Sequence, residues 1–209
     1  MADLAAQPAS VNFAPPRSAL GDGVAITERL DLALATVQVR GGQLAALRAR
    51  IGESYQLALP DRPVIVSTPA ISVVGLGPEH WLAMSATTDP AFVATLKTRL
   101  AGLASVSDQS GGYAVFRVGG RAIGATLAKG FPIDLAPASF KPGDAATTVV
   151  SHIGATIWRC SDGLDGRPVF EISLFRSLAE SFLEWFWESA AEFGCRFKDP
   201  VLSSPSQSR

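Results

Sequence analysis

Between residues 26 and 198 the hydrophobic pattern switches back and forth between two periods. In "LDLALATVQVR" (30–40) apolar and polar positions alternate, with valines toward the end, and the stretch reads as a strand. Gly41-Gly42 breaks it. "QLAALRARIG" (43–52) then places Leu44, Leu47 and Ile51 on one helical face, with Gly52 as the expected stop. "ISVVGLG" (71–77) and "HWLAMSA" (80–86) read as the two strands of a hairpin. "DPAFVATLKTRLAG" (89–102) predicts a helix, with Asp89 at the N-cap, Pro90 in the first turn and Gly102 past the end.

The same order then returns. "YAVFRV" (113–118) predicts a strand, Gly119-Gly120 a break, and "RAIGATLAKG" (121–130) a helix ending at Gly130. "TTVVSHIGATIWRC" (147–160) and "RPVFEISLF" (167–175) predict long strands around the turn "SDGLDG", and "RSLAESFLEWFWESAAEFG" (176–194) a closing helix. The Gly-Gly pairs begin 78 residues apart, at 41 and 119. Each half therefore reads strand, helix, strand, strand, helix. The expected class is α+β, two pseudo-repeated halves of largely antiparallel sheet with helices packed on it. The halves are expected at about 26–103 and 104–198 of a single domain. Residues 1–25, rich in Ala, Pro, Gly and Ser, are expected as a flexible arm, and 199–209 as a frayed tail.

On the closing helix, Leu178, Phe182, Trp185, Phe186 and Phe193 share one stripe, the expected core face. Trp187 falls opposite. Glu180, Glu184, Glu188 and Glu192 form an i,i+4 row of mutually repelling charges. That side reads either as a solvated acidic face or as an interface with Trp187 as its anchor.

Composition narrows the function classes. The chain of 209 residues has 18 basic and 19 acidic side chains, a net charge of -1, so no excess charge points to nucleic acid or an anionic membrane. Charged residues make up only 18%, against about 25% in an ordinary soluble protein, and mean hydropathy is +0.23. A charge-poor surface is what a permanent partner leaves on a subunit. The longest uncharged run, Pro63 to Pro78, has 16 residues and contains Pro69, short of the roughly 20 apolar residues of a spanning helix. The N-terminal stretch has neither a basic nor an apolar signal region, and the two cysteines, Cys160 and Cys195, are expected as thiols in the cytoplasm.

Candidate chemistry is sparse. In "GLGPEHWLAM" (75–84) the glycines and Pro78 read as a turn, because proline removes a backbone donor where a phosphate cradle needs one. His80 abuts Glu79, but neighbours in a strand point to opposite faces and make a poor acid–base pair. His152, inside "VVSHIGA", reads as a hydrogen-bonded sheet residue. Two histidines without ligand spacing argue against zinc. Asp108 and Ser110 read as a turn, since no histidine stands near to activate the serine. A binding or subunit role is favoured over an independent enzyme.

Several of these segments together resemble a known family. Gly75-Xaa-Gly77-Pro78-Glu79-Xaa-Trp81-Leu82 is similar to a hairpin of the gamma subunit of heterotetrameric sarcosine oxidase. So are "SVSDQSGGYAVFRVGGRAIGATLAKGFPIDL" (105–135) and then Phe140, Gly143, Thr147-Thr148, His152 and Ile157-Trp158-Arg159. The spacing of Asp108, Ser110, Gly119-Gly120, Leu127, Gly130, Asp134 and Leu135 also resembles glycine-cleavage aminomethyltransferases. The likeness covers roughly residues 70–185. It implies an aminomethyltransferase-like fold and a noncatalytic subunit that assembles with alpha, beta and delta chains. It implies sarcosine demethylation to glycine with hydrogen peroxide formed, FAD, FMN, NAD and zinc on the other subunits, and one-carbon transfer to tetrahydrofolate. No cofactor, metal or catalytic residue is expected on this chain. A related N-methyl amino acid dehydrogenase and a stand-alone folate-binding protein are the alternatives. Gly75, Gly77, Pro78, Glu79, Trp81 and Trp187 are the structural or interface candidates, with Trp81 expected in the core.

Overall fold

The computed structural model describes residues 7–15, 20–86 and 91–198. In chain order the elements are β1 (Leu20–Glu28), β2 (Ala33–Val39), α1 (Leu44–Tyr55), β3 (Ile65–Ser67), β4 (Ser72–Gly77), β5 (His80–Ser85), α2 (Phe92–Arg99) and β6 (Ala104–Asp108). They continue with β7 (Tyr113–Gly119), α3 (Ile123–Leu127), β8 (Ala145–Val150), β9 (Ile153–Arg159), β10 (Val169–Phe175), α4 (Ala179–Ala190) and β11 (Cys195–Phe197). The class is α+β. The expected tail and the Asp89-Pro90 cap lie outside the described residues; α2 itself is present, followed by Gly102 at φ 79.

The chain divides into two compact units. Residues 29–110 form one, a five-stranded antiparallel sheet ordered β3-β4-β5-β2-β6. Leu47, Ile51, Tyr55 and Leu96 of its helices pack with Ala35, Val37, Val73, Trp81 and Ala83 of its strands in one apolar cluster. The other unit joins residues up to 28 with 111 onward, in a six-stranded sheet ordered β11-β1-β7-β10-β9-β8. All its ladders are antiparallel except β1–β11. There Phe116, Ile157, Phe170 and Ile172 meet Ile123, Leu127, Phe182 and Phe186 of the helices. The pseudo-repeat is visible strand by strand: β2, β4 and β5 hold the sheet positions in one unit that β7, β9 and β10 hold in the other.

Four local expectations are corrected. Helix α1 runs past Gly52 to Tyr55, because Gln56 takes the left-handed conformation (φ 53) and donates its N–H to the Gly52 carbonyl. The segment 147–160 is two strands, since Ser151 and His152 both adopt positive φ (44 and 74) and close a two-residue hairpin. His152 therefore sits exposed at a turn instead of inside a strand. Residues 20–25 form the first part of β1, and residues 9–13 are also anchored. The Glu28 carboxylate, 1% exposed, accepts from Ala9 N (2.7 Å), Ser10 N (3.0 Å) and Ser10 Oγ (2.6 Å).

The fourth correction concerns the last helix. A 3-10 turn over Arg176–Leu178 breaks the helical phase and leaves Leu178 exposed. The buried face rotates toward Leu183, Trp187 and Ala190. Trp187 is 3% exposed, with Phe13 packed edge-on at 5.9 Å. Glu180, Glu184, Glu188 and Glu192 are exposed, and Glu192 pairs with Lys129.

Candidate functional site

The hairpin of β4 and β5 is the most distinctive local sequence, and its geometry separates two roles. Pro78 and Glu79 occupy the central turn positions, with Glu79 at φ 57. Proline pre-sets the first position and the second takes positive φ, as in a type II turn. The positive φ thus falls on Glu79, where the sequence suggested the glycines. Gly75 serves a different need: a Cβ there would lie 2.5 Å from the Arg62 carbonyl oxygen, and Gly75 N donates to Val64 O at 3.0 Å. Trp81 is in the core as expected, and its Nε1 donates to Pro60 O at 2.8 Å. Gly75 and Trp81 together fasten the 60–64 segment to the sheet, while Gly77, Pro78 and Glu79 stand exposed at the tip. Trp81→Phe removes one buried hydrogen bond and leaves a cavity where the second ring of the indole stood. It is expected to cost about 2–3 kcal/mol, read as a thermal midpoint lower by about 4–10 °C.

His80 is half-buried, and burial holds its pKa below the ordinary imidazole value. It is neutral at pH 7. A base with a depressed folded pKa contributes stability above its unfolded pKa, and that contribution is lost as pH falls through 6.5 toward the lower folded value. Its cross-strand neighbour is Gln38 and its chain neighbour Glu79 is an exposed turn residue, so the corner lacks the alignment of a general acid–base pair.

The other unit carries a polar row on the sheet face away from its helices. Arg117, Glu171 and Trp158 stand opposite one another on β7, β10 and β9. Trp158 Nε1 donates to the buried Glu171 carboxylate at 3.1 Å, and Arg117 Nε lies 3.8 Å from its other oxygen. Beside the row opens a cleft of about 550 Å³ lined by Arg117, Arg167, Arg196 and Lys198 with Asp22 and Asp165. Arg167 pairs with Asp165 at 3.4 Å and Arg196 with Asp22, so an anion entering would compete with carboxylates already there. The signal for this row was a lone glutamate within the apolar "VFEISLF".

Arg159, at the end of β9, was singled out only within a motif. It is 4% exposed, and its guanidinium donates to Phe140 O (2.7 Å), Pro137 O (3.4 Å) and Asp162 Oδ1 (2.7 Å). Asp108 and Ser110 form the expected turn: Ser110 N donates to Asp108 Oδ1 (2.9 Å), and Ser110 Oγ accepts from Leu34 N (3.0 Å). Among the described residues no group of three or more His, Cys, Asp or Glu is placed to hold a metal ion, and no helix is long and apolar enough to cross a membrane. The cysteines are unbridged. Burial pushes the Cys195 thiol up to about 12, whereas Cys160 is half-buried. Because the thiolate is the reactive form, alkylation at pH 8 is expected to mark Cys160 in the native chain. Cys195 is expected to label only after unfolding, as peptide mass spectrometry would show.

Comparison with known proteins bears on both units. A family model described as "Sarcosine oxidase, gamma subunit family" matches residues 40–192. No curated protein sequence matches the chain. Among solved structures, the chain is similar to heterotetrameric sarcosine oxidase from Corynebacterium sp. U-96 in complex with pyrrole 2-carboxylate. The identity is 23%, the TM-score 0.75, and the match covers 90% of this chain and 95% of the other. It is also similar to glycine cleavage system aminomethyltransferase T from Bartonella henselae, at 14% identity and TM-score 0.59, over 88% of this chain and 49% of that one. At such identities the likeness establishes the fold, and it agrees with the architecture above.

Proposed function

The chain belongs to the sarcosine oxidase gamma subunit family, and from that premise we propose that it is the noncatalytic gamma subunit of a heterotetrameric sarcosine oxidase. The complex would demethylate sarcosine oxidatively to glycine, form hydrogen peroxide and pass the one-carbon unit to tetrahydrofolate. This chain acts in assembly and stabilisation. Alpha, beta and delta chains hold FAD, FMN, NAD and zinc, and the complex resides in the cytoplasm. The observation that carries the reading is the reach of the family match, which runs from the residue after β2 through α4 and so takes in parts of both compact units. The local chemistry supports it. The cross-strand neighbour of His80 is Gln38 and not a carboxylate, and the polar row of Arg117, Glu171 and Trp158 is internally paired. In the hairpin, Gly75 and Trp81 serve the fold, leaving Gly77, Pro78 and Glu79 as the part offered to a partner.

The test is a gentle affinity capture of the tagged chain from cells making the whole complex, with the visible spectrum of the eluate. Flavin absorbance, three further chains and sarcosine-dependent peroxide are expected. A colourless, monodisperse single chain would overturn the reading, and saturable folate binding by that chain would replace it with a stand-alone carrier. A flavin complex that oxidises another N-methyl amino acid and leaves sarcosine untouched would move the assignment to a related dehydrogenase.

A further inference from the structure

The cleft beside the polar row is built by the register of three strands. On the sheet face away from the helices, Thr27 of β1 stands opposite Arg117 of β7, and one pleat along Ala25 stands opposite Gly119. On the other side of β1, Ala25 lies beside Arg196 of β11. Lys198 follows two residues later and so projects to the same face; its N–H donates to Ile26 O at 2.8 Å. Thr27, Ala25 and Gly119 thus form a floor of small residues. Arg196 and Lys198 rise on one side of it and Arg117 on the other. Short side chains between long ones open the cleft of about 550 Å³, a size in the range of small-molecule sites. Arg167 and Asp165, from the turn before β10, and Asp22 of β1 complete the wall.

The charges around this floor do not cancel. Four basic and two acidic side chains line the cleft, an excess of two positive charges in a chain whose net charge is -1. One positive charge remains even when the buried Glu171 carboxylate, 3.8 Å from Arg117 Nε, is counted against them. Lys198 forms no ion pair among the described residues, and the Thr27 hydroxyl no hydrogen bond. The acids on the wall are loosely held. Arg167 meets Asp165 at 3.4 Å and Arg196 meets Asp22, and all four side chains are exposed. Exposed pairs of this kind add little to stability and exchange readily for another anion. The cations on the two sides stand about 10 Å apart, two strand spacings across β1. That is wider than a single carboxylate or phosphate group.

We infer that this cleft is a binding site for a small polyanion, a molecule with carboxylate or phosphate groups at both ends, and that Asp22 and Asp165 are displaceable stand-ins for it. Lys198 and Arg196 receive one end and Arg117 the other, with the Thr27 hydroxyl between them as a further donor. Bonds from charged donors to anionic oxygens are the strong ones, so a ligand that engages both sides at once outcompetes the two exposed aspartates. The site binds and does no chemistry, and it goes beyond the assembly role proposed above.

The test titrates the full-length chain, alone and in the captured complex, with citrate and with pyrophosphate by calorimetry at low ionic strength, and with acetate as the monovalent control. Saturable binding of citrate or pyrophosphate is expected with a Kd below about 1 mM and at least about tenfold tighter than acetate. Preference for pyrophosphate identifies a phosphate ligand, and preference for citrate a polycarboxylate. Lys198→Met is expected to weaken binding about tenfold. Asp22→Asn removes a competing carboxylate and is expected to tighten it about threefold, a gain that a misfolded variant cannot produce. Binding no tighter than acetate, or unmoved by both substitutions, overturns the inference. So does binding that the free chain shows and the complex has lost, since a partner chain would then fill the cleft. None of these results touches the subunit reading, which the capture experiment decides separately.

Discussion

Gly120→Ala is expected to lower stability by about 3–5 kcal/mol. Two costs combine. Gly120 has φ 128, a conformation that L side chains rarely adopt. A Cβ there would also lie 2.5 Å from Gly23 O and 2.8 Å from Val24 Cα, both backbone atoms of β1. The strand can relieve the clash only by moving away from β7. That movement would break the bond from Ala122 N to Gly23 O (3.1 Å) and loosen the Ala25–Gly119 register. With total stabilities of about 5–15 kcal/mol in ordinary domains, such a loss should drop the thermal midpoint by about 10 °C and raise amide exchange in β1 first. A shift under about 1 kcal/mol would show that β1 does not make this close approach.

Arg159→Met is expected to cost about 3 kcal/mol. The arginine is buried and ties three points together, the carbonyls of Pro137 and Phe140 and the Asp162 carboxylate. Methionine fills much of the same volume, so the loss measures unpaired polar groups more than a cavity. Its Nε has no acceptor among the described residues, which trims the wild-type benefit and keeps the expected cost below the top of the range for a broken buried pair. Arg159→Lys should recover little, because a single ammonium cannot span donors toward Phe140 and Asp162 at once. Chemical denaturation of the three forms checks the order. Equal midpoints for arginine and lysine would mean that charge alone matters.

Both predictions turn on residues whose types were plain in the sequence and whose environments were not. The two Gly-Gly pairs illustrate this best. Both were legible as breaks between a strand and a helix, and both are. Yet a Cβ on Gly42, at φ 74, would meet nothing within 4 Å, while one on Gly120 would strike β1. The hairpin at 75–81 was legible in the same partial way: the turn follows from Gly-Xaa-Gly-Pro, but the positive φ falls on Glu79, and Gly75 is needed because Arg62 O lies against it.

By itself the sequence determined what short-range physics controls. Alternation laid out the strands, glycine and proline placed the breaks, and the order of elements established an α+β chain in two matching halves. The tertiary structure alone decided which faces are covered. Trp187 is buried because Phe13, near the other end of the chain, packs on it, and the Glu28 carboxylate holds that segment in place. His152 is exposed because a tight turn outweighed the β-propensity of the valines before it. Period and propensity act over a few residues, whereas burial is settled by contacts between segments far apart in the chain, and no local pattern encodes those.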